Sequence, residues 1–201
     1  MFDKKLKISA GALILAAVIY YTADFSALLC VGVPVLVHEL GHVVCLRLLG
    51  LRIRGFRAEL RGLCMDYAGC TNGLGRVLAA AAGPAAGGLY ALAASYSGKI
   101  YGSDWLLCSA GVSVVLTAFN LLPALPLDGG QIFAELMTAA LGSRRGIRAA
   151  ELSGLVTGAL LLAAGLWLLW SGRGAAVLAA SIWLLLSQPE NPAPGRRKEL
   201  L

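Results

Sequence analysis

Long apolar runs separated by short basic links leave this chain few ways to fold. The runs cover roughly 7–23, 26–49, 74–97, 105–125, 152–170 and 174–188, each near the ~20 residues that a bilayer-crossing helix needs. Lipid offers no partner for a bare backbone N–H or C=O, so a crossing segment must satisfy its own hydrogen bonds as a helix. The sequence therefore predicts an all-α polytopic membrane protein with about six transmembrane helices. Runs five and six are short and tightly linked by Ser171-Gly172-Arg173-Gly174. A helical hairpin that crosses with little margin is the alternative there. Only 14% of the 201 residues are charged, against roughly 25% in a soluble domain, so much of the surface faces something other than water.

The net charge of +6 is spread between apolar runs. That distribution argues against nucleic acid as a partner and for membrane orientation. With the N-terminus in the cytoplasm, only Lys99 and Arg173 of the 17 basic residues fall outside. Tyr20, Tyr21, Tyr101, Trp105 and Trp170 then gather at the outer interface, where amphipathic rings settle. Both termini are expected in the cytoplasm. Lys4, Lys5 and Lys7 before an apolar run resemble a signal peptide, but no convincing small-x-small site follows, so the run reads as a retained first helix. Residues 189–201 are rich in Pro and then basic, and read as a disordered, solvated tail. Three of five cysteines (Cys30, Cys45, Cys108) fall in apolar runs as small hydrophobes. Cys64 and Cys70 lie in a cytoplasmic loop, where free thiols are expected.

Leu51–Gly69 is too polar to cross. Leu51, Ile53 and Gly55 alternate with Arg52, Arg54 and Arg57, and Leu63–Tyr67 follows. Period-two alternation predicts a small membrane-associated β-hairpin between helices two and three, with a plain solvated loop as the alternative. Run three is crowded with small residues, including Gly83 and Gly87 around Pro84. In lipid such residues let helix backbones approach closely.

The chemistry centres on His38-Glu39-Leu40-Gly41-His42, in run two. Residues four apart share a helix face, so the two imidazoles can grip one Zn²⁺ while Glu39 reaches a metal-bound water. These are the chain's only histidines. A charged group at mid-bilayer costs roughly 2.5–3.5 kcal/mol on the insertion scale, so this polar cluster needs compensation that a cation supplies. A catalytic zinc usually has a third protein ligand. Asp128 is the leading candidate, in Asn120-Leu121-Leu122-Pro123-Ala124-Leu125-Pro126-Leu127-Asp128-Gly129-Gly130. Pro123 and Pro126 break the helix, and Gly129-Gly130 permits a sharp turn. A plain helix-exit turn is the competing reading, and Glu59, Asp66 and Glu135 are weaker ligand candidates.

Together His38–His42, Gly83-Pro84 and Asn120–Gly130 resemble the site-2 proteases, intramembrane zinc metalloproteases of the M50 type. The resemblance implies zinc on His38, His42 and Asp128, Glu39 acting on water, and Asn120 near the substrate or oxyanion. Many members carry Asn where this chain has Gly87, so a polar contact from that helix position is not carried over. The layout is closest to the sporulation-type members, without room for their CBS domain or for the PDZ domain of others. The expected product of residues 1–188 (catalytic core about 26–135) is thus an endopeptidase that cuts membrane-protein substrates, such as a membrane-tethered transcription regulator. It would sit in a bacterial cell membrane with its active site toward the cytoplasm. A non-proteolytic zinc-holding module and a metal transporter are the alternatives. The intact Glu39 weighs against the first, and a single polar cluster against the second.

Overall fold

The computed structural model describes residues 5–8, 24–59, 62–68, 72–172 and 175–187. Among them are six helices, α1 (Phe25–Leu48), α2 (Gly73–Tyr101), α3 (Asp104–Asn120), α4 (Asp128–Leu141), α5 (Ser143–Trp170) and α6 (Ala175–Leu186). Three strands accompany them, β1 (Lys5–Ile8), β2 (Arg52–Glu59) and β3 (Gly62–Ala68). α1, α2 and α5 are long and apolar enough to cross a membrane, whereas α3 and α6 are apolar but shorter. Large apolar side chains stand exposed along them, Leu92 and Trp167 both at 72%, as expected where lipid rather than water is the solvent. The protein is an integral membrane protein.

Of the six expected spans, three reach full length among the described residues. Residues 7 and 8 of run one lie in β1, and 9–23 lie outside the described residues. Run four ends as a helix at Asn120, five residues before its apolar stretch does. Run five begins nine residues early, at Ser143, because apolarity marks only the part of a helix that meets lipid. The basic tail, 189–201, lies outside the described residues.

The chain divides into two compact units at Phe119–Asn120. In the first, α1 and α2 lie close: a Cβ on Gly41 would come 2.5 Å from the Ala82 carbonyl oxygen and 2.8 Å from the Ala86 Cβ. Leu46, Leu51 and Ala79 form a small buried cluster at one end of this pair. Hydroxyls join α2 to α3, with Tyr90 and Ser109 sharing a 2.7 Å hydrogen bond and the Ser113 hydroxyl donating to the Gly87 carbonyl at 2.8 Å. Trp105 at the start of α3 donates its indole N–H to the Ser26 carbonyl of α1, 3.1 Å away. The Asn72 side chain accepts from the Gly75 N–H and caps α2, satisfying one of the donors that a helix start leaves open.

The segment read from sequence as a lone hairpin belongs to a three-stranded sheet in the order β1-β2-β3. β2 and β3 are antiparallel, with Phe56 opposite Met65, and β1 joins β2 in parallel, with Leu6 opposite Phe56. The ladder slips between Ile53 and Gly55, and glycine is suited to the backbone that such a bulge requires. The alternation around Gly55 was legible in sequence; the parallel partner, some fifty residues away, was not.

In the second unit, Leu121–Leu127 is irregular, with a cis Leu125–Pro126 peptide. Ser153 of α5 donates to the Pro123 carbonyl at 2.7 Å, and the Gln131 amide donates to the Pro126 carbonyl at 3.3 Å. These bonds satisfy the carbonyls of the two prolines. Gly129 and Gly130 do not form the expected exit turn. They open α4, where a Cβ would collide with the carbonyls of Leu121 and Ala124 respectively. Their role is close approach, which a turn assignment from Gly-Gly alone misses. Along α5, Gly158 faces Leu185 and Gly165 faces Leu178 of α6.

Candidate metal centre

Both histidines lie on one face of α1. His38 is 4% exposed and His42 half-buried. Pro34, buried one turn before His38, has no N–H, so the Cys30 carbonyl loses its helical partner. The two rings stand edge-to-face, with centroids 5.0 Å apart at 79°, and their Nε2 atoms are 3.3 Å apart. His42 Nδ1 donates to the Ala79 carbonyl of α2 at 2.8 Å. With its proton on Nδ1, His42 presents a lone pair at Nε2.

That separation tests the fit of a metal. Two nitrogens each about 2.0–2.1 Å from a tetrahedral ion stand about 3.3–3.4 Å apart, so the pair already has the spacing of two adjacent zinc ligands. His38, His42 and Asp128 each offer a ligand atom, and these atoms lie within 4.8 Å of one another. Asp128 is 8% exposed and is the first residue of α4, where the positive end of the helix favours a carboxylate. The competing reading of a plain helix-exit turn is not what is found, since Asp128 starts a helix. Two imidazoles and a carboxylate suit zinc and other divalent first-row metals alike.

Glu39 follows His38 on α1 and is half-buried. Asn120 is the last residue of α3, also half-buried. Glu135, on α4, does not join the metal-competent group. Glu59, Asp66 and Cys64 lie on β2 and β3, and Cys70 lies outside the described residues. Cys30, Cys45 and Cys108 are free thiols.

Gly83 is a site residue whose role sequence reasoning took for packing alone. A Cβ there would overlap His42 Nε2 and lie 2.6 Å from its Cε1 and 2.8 Å from His38 Nε2. Hydrogen in place of a side chain thus leaves the space where the two nitrogens converge. The Ala79 carbonyl was equally invisible, since no side chain advertises it.

The sequence model of peptidase family M50 matches residues 87–164, the stretch containing Asn120 and Asp128. No curated protein matches the sequence. The fold is similar to that of a site-2 protease from Methanocaldococcus jannaschii, with a TM-score of 0.72 and 18% identity. That likeness covers 98% of this chain and 97% of the other. The chain is thus similar to the M50 peptidases over the stretch that carries Asn120 and Asp128, and it shares the fold of a site-2 protease along nearly its whole length.

Proposed function

We propose that His38, His42 and Asp128 hold a single zinc ion within the membrane, and that Glu39 serves as the base for hydrolysis of a peptide bond. The observation that carries this reading is the 3.3 Å separation of the histidine Nε2 atoms in a group that Asp128 completes. The match to the M50 peptidase model supports metalloprotease activity, and site-2 proteases act on membrane-protein substrates.

Zinc held there supplies Lewis acidity to a water and to the scissile carbonyl. The chain's own groups do the rest. Ala79 fixes the His42 tautomer through its carbonyl. Glu39, next to one ligand, accepts the proton of the attacking water and later gives it to the leaving amine. Asn120 steadies the substrate or the developing oxyanion. The substrate helix must unwind first, because a helix engages the carbonyl to be attacked.

Residues 1–188 act as one protease domain, with the core near 26–135 and the basic tail beyond it. The positive-inside bias supports cytoplasmic termini and an active site open to that side of a bacterial membrane. β3 is an edge strand of the sheet, and an unwound substrate, such as a tethered transcription regulator, pairs there as an added strand against the membrane. A transporter would need ligand groups in series, and His38, His42 and Asp128 form one metal-competent group among the described residues.

The test is Glu39→Gln. The purified variant is expected to keep one zinc per chain while a membrane protein accumulates uncut in comparative membrane proteomics. Cleavage at the wild-type rate would remove Glu39 from the mechanism. A wild-type protein that retains no metal after purification without chelators would defeat the metal reading itself.

A further inference from the structure

Two side-chain contacts join α1 to α3 along a single seam near the start of both helices. Trp105 donates its indole N–H to the Ser26 carbonyl at 3.1 Å. One turn further along α1, the Cys30 sulfur lies 4.0 Å from the Trp105 carbonyl oxygen, and its thiol is hydrogen-bonded to that of Cys108. The spacings explain the alignment. Ser26 and Cys30 are four apart on α1, and Trp105 and Cys108 three apart on α3, so each pair shares a helix face. Cys30 comes five residues after Phe25, which opens α1, and Cys108 four after Asp104, which opens α3. Both sulfurs therefore sit about 6–8 Å along their helices. Cys30 is buried and Cys108 exposed.

A buried cysteine by itself is a small hydrophobe. Two thiols in contact are different, because they are separated from a disulfide only by two protons, two electrons and a short movement. The S–S distance of about 2.05 Å is reached by turning Cys108 about its Cα–Cβ bond, which its exposed position permits.

We propose that Cys30 and Cys108 form a reversible disulfide that latches α1 to α3. The oxidant is a low-molecular-weight disulfide acting through two exchange steps. The exposed Cys108 thiol loses its proton and attacks one sulfur of the reagent, whose other half leaves as a thiolate and takes up that proton. Cys30 then loses its proton and attacks the Cys108 sulfur of the mixed disulfide, expelling the second half as a thiol. Two protein thiols and one small disulfide become one protein disulfide and two small thiols. The latch joins the helix that carries His38 and His42 to the helix that ends at Asn120. In the orientation proposed above, the starts of α1 and α3 face outward, the side on which disulfides persist.

The experiment incubates the full-length protein in nanodiscs with oxidised glutathione, unfolds it, labels the remaining thiols with a maleimide and maps the fragments by mass spectrometry. Two of the five cysteines are expected to escape labelling, and the fragments holding Cys30 and Cys108 to appear as one linked mass until reduced. Cys30→Ser should instead retain glutathione on Cys108, because no second thiol displaces it, and Cys108→Ser should leave Cys30 free. Glutathione retained on Cys108 of the wild type, without the link, overturns the proposal. So does labelling of both cysteines equal to that before oxidation, or a Cys30 bond that survives Cys108→Ser. Sealed spheroplasts given the same reagent, which does not cross the membrane, should yield the same link. A link formed in nanodiscs alone supports the pairing and places the failure in the proposed orientation.

Discussion

Gly83→Ala adds one carbon to a helix interior, where alanine is better than glycine by about 1 kcal/mol. Secondary-structure propensity thus predicts a slightly stabler α2. The site predicts the opposite for function. The new Cβ would overlap His42 Nε2 and sit 2.6 Å from Cε1 and 2.8 Å from His38 Nε2. Reaching ordinary contact near 3.4 Å moves the His42 ring, whose Nε2 is the nearest atom, by more than 1 Å and His38 by about 0.6 Å, in an interior that transmits strain rather than absorbing it. Metal–ligand distances tolerate only about 0.2 Å. Neither ring can retreat by rotamer change and still point at a shared ion, because both hang from α1, which Gly41 pins against α2. The expected result is a folded protein whose zinc affinity falls at least ~100-fold and whose cleavage falls with it, since about 1 Å of misplacement alone costs some 100-fold in rate. The assay pairs chelator competition with cleavage of a tagged membrane substrate. Gly88→Ala is the control, as a Cβ there meets nothing within 4 Å. Wild-type metal affinity in Gly83→Ala would refute the claim that Gly83 shapes the centre.

Other outcomes follow from the same geometry. Removing metal with a strong chelator should abolish cleavage, and added zinc should restore it; activity that survives verified metal loss contradicts the mechanism. Asp128→Asn should lower zinc affinity by at least ~10-fold, because a neutral amide lacks the charge with which a carboxylate binds a divalent ion; titration of the metal-free variant reads this directly. Ser153→Ala leaves the Pro123 carbonyl without its 2.7 Å donor and should destabilise the second unit by about 1 kcal/mol, seen as a lower midpoint in denaturant. Gly41→Val should disrupt the α1–α2 contact, since even a Cβ comes 2.5 Å from the Ala82 oxygen; an unchanged melting temperature would show that the helices separate freely.

The sequence by itself determined what depends on near neighbours along the chain. Apolar run length fixed the helical membrane-spanning class, and five of the six runs contain described helices. The four-residue spacing of His38 and His42 put both imidazoles on one face, and alternation around Gly55 marked strand. Charge and proline placement drew attention to Asp128, but not to its position at the start of α4. What only tertiary structure decided involves partners far apart in sequence and poor in chemical signal. The Ala79 carbonyl that orients His42 is 37 residues away and belongs to a backbone group every residue has. The importance of Gly83 and Gly87 lies in the atom each lacks, which matters only once another helix is packed against it. β1 pairs with β2 across some fifty residues, and a parallel ladder leaves no local turn to announce it. Helix faces and hydropathy are written in short-range periodicity; tautomer, close helix approach and strand partner come from tertiary packing, which short-range periodicity does not record.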